Sequence, residues 1–307
     1  MTKNLLQWFA RAKRPMPWRA APSPYACWLS EIMMQQTTYQ TVLPYYERFL
    51  KKFPDVASLA SADERAVLKA WEGMGYYARA RNLHKAARKI ASEGWPQSAA
   101  AWAAVPGVGP YTAAALASVL AGEKVPVVDG NVARVFARYW RLDDDFRKLP
   151  ARARLAERLR PYIARTDAPG DFNQAMMELG ALVCTPANPA CGECPLSRAC
   201  AARKAGVQAD YPRRAEKKPL PVRKVTAAVV ADGKGKVLLV ENREGGLLKG
   251  LWELPAMAPA GEQVQVFSHF RLEMSVVRAA RAARFVDPKA VPLAAATRKV
   301  LARCGLL

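Results

Sequence analysis

From residue 1 to about residue 200, apolar side chains recur at spacings of three and four, with Pro or Gly at the joints between periodic runs. That pattern predicts helix after helix with almost no strand. The segments 25–36 (YACWLSEIMMQQ), 76–91 (YYARARNLHKAARKIA), 111–121 (YTAAALASVLA) and 172–183 (FNQAMMELGALV) carry it most clearly, being built from small or straight-chain residues that lose little rotamer freedom in a helix. The texture then changes. Residues 203–224 (RKAGVQADYPRRAEKKPLPVRK) are basic, proline-bearing and aperiodic, which predicts an interdomain linker. Beyond it, VTAAVVA, the turn DGKGK and VLLVEN predict a hairpin, VQVFSHFRLEMSVVRA a further strand-like run, and PLAAATRKVLARC a C-terminal helix. The expected organisation is a mainly α chain: a helical domain over 1–202, a linker over 203–224 and a small α+β domain over 225–307.

Composition narrows the class. The 307 residues are 51% hydrophobic without any long apolar run, so no membrane span is expected. Lys and Arg exceed Asp and Glu by 47 to 26, a net charge of +21 that suits a polyanion such as nucleic acid, although a solvated basic surface would read the same way. The first nineteen residues are basic and free of acids, as in an import leader, but Pro15, Pro17, Trp18 and the lack of serine argue against one. A cytoplasmic, nucleoid-associated bacterial protein acting as a monomer is expected.

Four of the six cysteines, Cys184, Cys191, Cys194 and Cys200, fall within seventeen residues in a 6-2-5 spacing. No secretory signal accompanies them, so metal ligation is favoured over a disulfide framework. Zinc and an iron-sulfur cubane both remain open on spacing alone.

Three other segments bear on chemistry. In VPGVGPYTAAALASVL (105–120), Pro106, Gly107, Gly109 and Pro110 force a tight turn between helices, and the amides opening the second helix suit a phosphate. In VDGNVARVFAR (128–138), Asp129 stands just before a helix, where it can cap or act as a carboxylate. In residues 17–49, Glu31 is the sole acid of the first 46 positions and sits beside Trp28, Leu29, Ile32 and Met33. Apolar neighbours raise a carboxyl pKa towards the range useful to a general acid.

Hairpin, V-D-G-N-V and cysteine loop, in this order and separation, resemble the helix-hairpin-helix DNA glycosylase superfamily that includes endonuclease III. The match of S-E-x-M-x-Q-Q-T at Glu31 makes the chain similar to its MutY-type branch, the adenine DNA glycosylases. The resemblance implies a two-lobed helical glycosylase domain with the hairpin at 105–121, and a [4Fe-4S] cluster on the loop 184–200, with zinc the minor reading. It also implies a small Nudix-like α+β domain at the C-terminus, shortened here. The implied activity is base excision repair: flipping out and hydrolysing adenine opposite 8-oxoguanine or guanine in duplex DNA. Glu31 and Asp129 match the catalytic pair, assisted by Tyr111 and Asn131. Arg19, Gln174 and Trp18 match the adenine pocket. Gln36, Thr37, Tyr76, Gly107 and Gly109 match DNA contacts, with Tyr77 able to share the role of Tyr76.

The position that carries a Schiff-base lysine in lyase members corresponds to Tyr111, and no lysine lies between Lys89 and Lys124, so little or no lyase activity is expected. In the C-terminal part, GLLKGLWELP (246–255) and Phe267, Ser268 and His269 match the segments that sense the lesion. No cluster of glutamates follows Pro255, so nucleotide hydrolysis with magnesium is not expected.

Overall fold

The computed structural model describes residues 1–20, 22–213, 219–242, 247–255, 262–267, 271–278 and 285–307. In chain order the helices are α1 (Thr2–Ala12), α2 (Pro17–Ala20), α3 (Pro24–Met34), α4 (Tyr39–Lys52), α5 (Val56–Ser61), α6 (Glu64–Ala70), α7 (Ala78–Glu93), α8 (Ala99–Ala103), α9 (Pro110–Leu120), α10 (Gly130–Trp140), α11 (Leu149–Ile163), α12 (Pro169–Leu182) and α13 (Ala201–Lys204). The strands β1 (Val222–Val229), β2 (Val240–Glu241), β3 (Trp252–Glu253), β4 (Glu262–Val266) and β5 (Arg271–Arg278) follow, and α14 (Ala295–Arg303) ends the chain. The four helices read from periodicity are α3, α7, α9 and α12, with ends shifted by a few residues. By contacts the chain falls into two discontinuous units, residues 1–32 with 92–216 and residues 33–91 with 217–307.

The first unit is all helix among the described residues, and small side chains decide how closely its helices approach. Gly109 is the N-cap of α9 and Pro110 its first residue, a start that needs no N–H from the proline. Every residue of α9 from Thr112 to Ser118 is buried, so the helix is covered on all sides rather than on one stripe. Two glycines seat α12. A Cβ on Gly170 would lie 3.0 Å from Ser118 O and Val119 Cα of α9, and one on Gly180 would lie 2.5 Å from Asn131 Cβ of α10. Around these contacts Leu5, Phe9, Val132, Phe136, Leu155, Leu159, Phe172, Met176 and Leu179 form one core, against which Cys184, Cys194 and Cys200 pack.

The same core corrects the linker expected over 203–224. Residues 203–213 are packed against the helices: Tyr211 is buried in the core and its carbonyl accepts from Arg138 Nε at 2.9 Å. The segment shows no longer period because its elements are short, the end of α13 and a single 3-10 turn over Gln208–Asp210. Residues 214–218 lie outside the described ones.

The second unit joins α4–α7 to the C-terminal strands and α14. Here the strand reading needs correction in detail. β1 does not form a ladder with VLLVEN; it runs parallel to β5, from Val222 opposite Arg271 to Val229 opposite Arg278. The turn at DGKGK closes through Asp232 N to Lys236 O at 3.0 Å and a single bridge between Ala231 and Val237, while β2 pairs antiparallel with β3. The run 264–279 is two strands rather than one, β4 and β5, which are antiparallel. Long-range pairing decided these partners, and a local alternation of apolar residues does not encode it. Glu72 of this unit is buried; its carboxylate accepts from Leu293 N at 3.2 Å and pairs with Lys69 Nζ at 2.7 Å and Arg298 Nη1 at 3.1 Å.

Replacing Gly180 by Ala should force α12 away from Asn131, at a cost of about 1–3 kcal/mol in unfolding free energy. Chemical denaturation of the G180A protein measures it, and unchanged stability would contradict the close approach.

Candidate active site

Three helices of the first unit bring the predicted catalytic residues together. Glu31 lies in α3, Tyr111 at the start of α9, and Asp129 is the N-cap of α10, with Asn131 one residue into that helix's first turn. Tyr111 makes a side-chain hydrogen bond to Glu31, and the negative charge of Asp129 is close enough to act on both. The Tyr111 hydroxyl also stands 3.2 Å from Met177 Sδ. The hydroxyl donates to that sulfur and also interacts with the Glu31 carboxyl.

The two carboxyl groups are solvated differently. Burial lifts the Glu31 pKa from the ordinary 4.5 to about 7; the bond from Tyr111 and the Arg19 charge oppose the rise, while Asp129 adds to it. Burial also raises the pKa of Asp129, but its oxygens hold Val132 N at 2.7 Å and Asn131 Nδ2 at 2.9 Å, and both donors favour the ionised form. The N-terminus of α10 favours it too. The arrangement therefore separates one carboxyl that keeps a proton near neutrality from one supplied with donors for its charge.

Asn131 is itself held. Its Oδ1 accepts from Arg134 Nη2 at 2.8 Å, and Arg134 continues to Gly180 O at 2.7 Å and Cys184 O at 2.8 Å. Arg19 and Gln174, expected in one pocket, are bonded directly through Arg19 Nε to Gln174 Oε1 at 2.7 Å. That bond fixes the Gln174 amide with its NH2 turned away from Arg19. Trp18 is buried in α2, with its carbonyl 4.0 Å from Cys27 Sγ.

Glu178 and Arg14, which the sequence did not single out, complete this cluster. Glu178, 1% exposed, pairs with Arg19 Nη1 at 2.6 Å and Arg14 Nε at 2.8 Å. The available signal was a lone acid in the otherwise apolar run AMMELGALV.

In the second unit, Gln36 and Tyr76 both adopt left-handed backbone, with φ of 55° and 49°. Non-glycine residues rarely do so. Arg79, also missed, ties them: its guanidinium bonds to the carbonyls of Met33, Gln35 and Met74 and to Thr37 Oγ1, and lies 5.3 Å from the Tyr76 ring centre. Tyr76 is 40% exposed. Tyr77 does not share its position, since it is buried and donates to Leu293 O at 2.9 Å.

In the hairpin, Gly107 takes φ of 80°, and a Cβ on Gly109 would meet nothing within 4 Å, which leaves the amides opening α9 approachable. Phe267 is half-buried after β4, and Ser268 and His269 lie outside the described residues.

Cys184, Cys191, Cys194 and Cys200 line one small cavity with Val135, Arg138, Tyr139 and Leu196. Among the described residues no three Cys, His, Asp or Glu side chains are gathered tightly enough for a single metal ion. Four thiols around one shared, mostly apolar space are a donor set that suits a thiolate-bound metal group.

The raised pKa of Glu31 carries a stability consequence. Between pH 4.5 and about 7 the folded chain binds a proton that the unfolded chain has lost, so stability falls as pH rises through this window. Glu31→Gln removes the penalty. The E31Q protein should be more stable than the parent at pH 8, by roughly 3 kcal/mol, and no more stable at pH 4. Unfolding curves at the two pH values measure this, and equal stability at pH 8 would contradict the burial of an ionised Glu31.

The family description "HhH-GPD superfamily base excision DNA repair protein" matches residues 29–161, a span that holds Glu31, the hairpin and Asp129. The human adenine DNA glycosylase is 35% identical over 323 residues, covering 85% of this chain and 58% of its own length. The mouse adenine DNA glycosylase is 33% identical over 361 residues, covering 89% of this chain and 69% of its own. Among solved structures, a thermostable thymine-DNA glycosylase superposes with a TM-score of 0.59 at 28% identity, covering 66% of this chain and 95% of its own. The likeness thus covers most of this chain, which belongs to the adenine DNA glycosylase family of the HhH-GPD superfamily.

Proposed function

We propose that this chain is a monofunctional adenine DNA glycosylase that flips adenine out of duplex DNA, opposite 8-oxoguanine or guanine, and hydrolyses its N-glycosidic bond. One observation carries the reading: two carboxyl groups act on each other within one helical unit, and burial lifts the pKa of Glu31 to about 7 while donors surround the carboxyl of Asp129. Adenine leaves poorly unless its N7 is protonated. Glu31 donates that proton, and Tyr111 holds the carboxyl in place. As the bond breaks, the sugar becomes cationic; the Asp129 carboxylate, steadied by Val132 N and Asn131, offsets that charge or bonds the anomeric carbon transiently. Glu31, now deprotonated, takes a proton from the attacking water. Arg19 and Gln174 meet the edge of the extruded base, and the exposed ring of Tyr76 fills the space it leaves. With tyrosine at 111 and no lysine from 90 to 123, this segment offers no amine for strand cleavage, so lyase activity is absent or weak.

Cys184, Cys191, Cys194 and Cys200 would hold a [4Fe-4S] cluster, which when bound supplies a covalent tie across the loop and a one-electron couple. The protein is read as a cytoplasmic monomer working on the nucleoid. No helix among the described residues is long and apolar enough to cross a membrane.

A duplex with a single adenine opposite 8-oxoguanine should be cut only after alkali treatment; absence of adenine release refutes the function. Glu31→Gln should abolish excision with binding retained, and surviving turnover would remove Glu31 from the acid role. Because the acid must carry its proton, the single-turnover rate should fall about tenfold per pH unit above pH 7, a slope that a pH series reads directly. The +21 charge predicts affinity for duplex that drops steeply between low and physiological salt, and a flat profile would contradict phosphate contact.

A further inference from the structure

Arg138 is a buried cation without an acid. It lies towards the end of α10 and is 2% exposed. Its Nε donates to Tyr211 O at 2.9 Å, Nη1 to Thr185 O at 2.7 Å and Nη2 to Pro186 O at 2.9 Å. Among the described residues no carboxylate forms an ion pair with it. Elsewhere in the same unit the fold does supply one: Arg14 and Arg19 share the buried Glu178. Three carbonyls accept one bond from each nitrogen of Arg138 but do not neutralise its charge, and an uncompensated buried charge is costly.

The remaining contact shows where compensation comes from. Arg138 Nη1 stands 3.4 Å from Cys184 Sγ, and the backbone carbonyl of the same residue is 3.6 Å from Cys200 Sγ. The side chain also lines the cavity that all four cysteines share. Thiolates ligating a metal group are anionic, and one buried guanidinium is placed against them.

We propose that Arg138 is the built-in counter-cation of the four-cysteine cavity, bonding the Cys184 sulfur and setting how readily the group bound there accepts an electron. This rests on the cluster reading above. Arg138 is a positioning residue, not a ligand: its fixed charge favours the more negative, reduced form, so removing it should lower the midpoint potential.

The test uses the full chain purified with its cluster, the Arg138→Gln and Arg138→Lys variants, iron and sulfide content per chain, and the midpoint potential by voltammetry. Arg138→Gln should shift the ratio of reduced to oxidised protein at fixed potential about tenfold towards oxidised, equivalent to about 59 mV for one electron. Arg138→Lys should shift it in the same direction by less. A fully loaded Gln protein with the parent potential would overturn the proposal and leave Arg138 as a clamp on three carbonyls. Where the Gln protein fails to fold, the Lys protein decides: a clamp alone predicts lower thermal stability with unchanged potential, whereas loss of the N–H···S bond lowers the potential too. A parent protein that takes up no iron or sulfide would instead refute the cluster reading, an outcome distinct from an unshifted potential.

Discussion

A carboxylate taken out of water must be given donors, a cation or a proton, and the first unit uses all three. Asp129 receives the amide of Val132 and the side chain of Asn131. Glu178 receives two arginines. Glu31 has Tyr111 and the Arg19 charge on its side, but burial outweighs them, so it keeps its proton to about pH 7. The proposed chemistry rests on that contrast, because acid and base roles on one site require different environments for the two carboxyl groups. The helices are arranged around it: α9 delivers Tyr111, α10 starts at Asp129, and α12 holds Asn131 through the gap that Gly180 leaves.

Much of this was legible in the chain. Helical period located α3, α7, α9 and α12 because these runs combine small or unbranched residues with clear joints at Gly and Pro. Asp129 was readable as a cap, and the capping geometry that a sequence suggests is the one that also orients its second oxygen towards Asn131. The cysteine loop was readable from spacing. What spacing could not supply was partnership over distance. Arg14 and Arg19 meet Glu178 across about 160 residues, and β1 chooses β5 over the adjacent VLLVEN segment. Neither choice leaves a local trace. The difference between Tyr76 and Tyr77 was hidden for a similar reason, since neighbouring tyrosines look alike until Leu293 claims one of them.

Arginine does much of the organising in a chain with a large surplus of it. Arg134 and Arg138 leave the same helix one turn apart, and both spend their donors on carbonyls at the head of the cysteine loop. α10 therefore starts with a carboxylate at the reacting end and finishes among the thiols, with short hydrogen bonds along its length. A rigid helix of three turns is a suitable spacer for holding two such sites at constant separation.

Gln36 and Tyr76 are about forty positions apart, yet one guanidinium, that of Arg79, is bonded to the turn that carries the first and packed on the ring of the second. Each backbone is held where a non-glycine residue costs of order 1–3 kcal/mol, and such strain persists only while its surroundings enforce it. One guanidinium thus braces two strained turns at once, and its removal would be expected to loosen both.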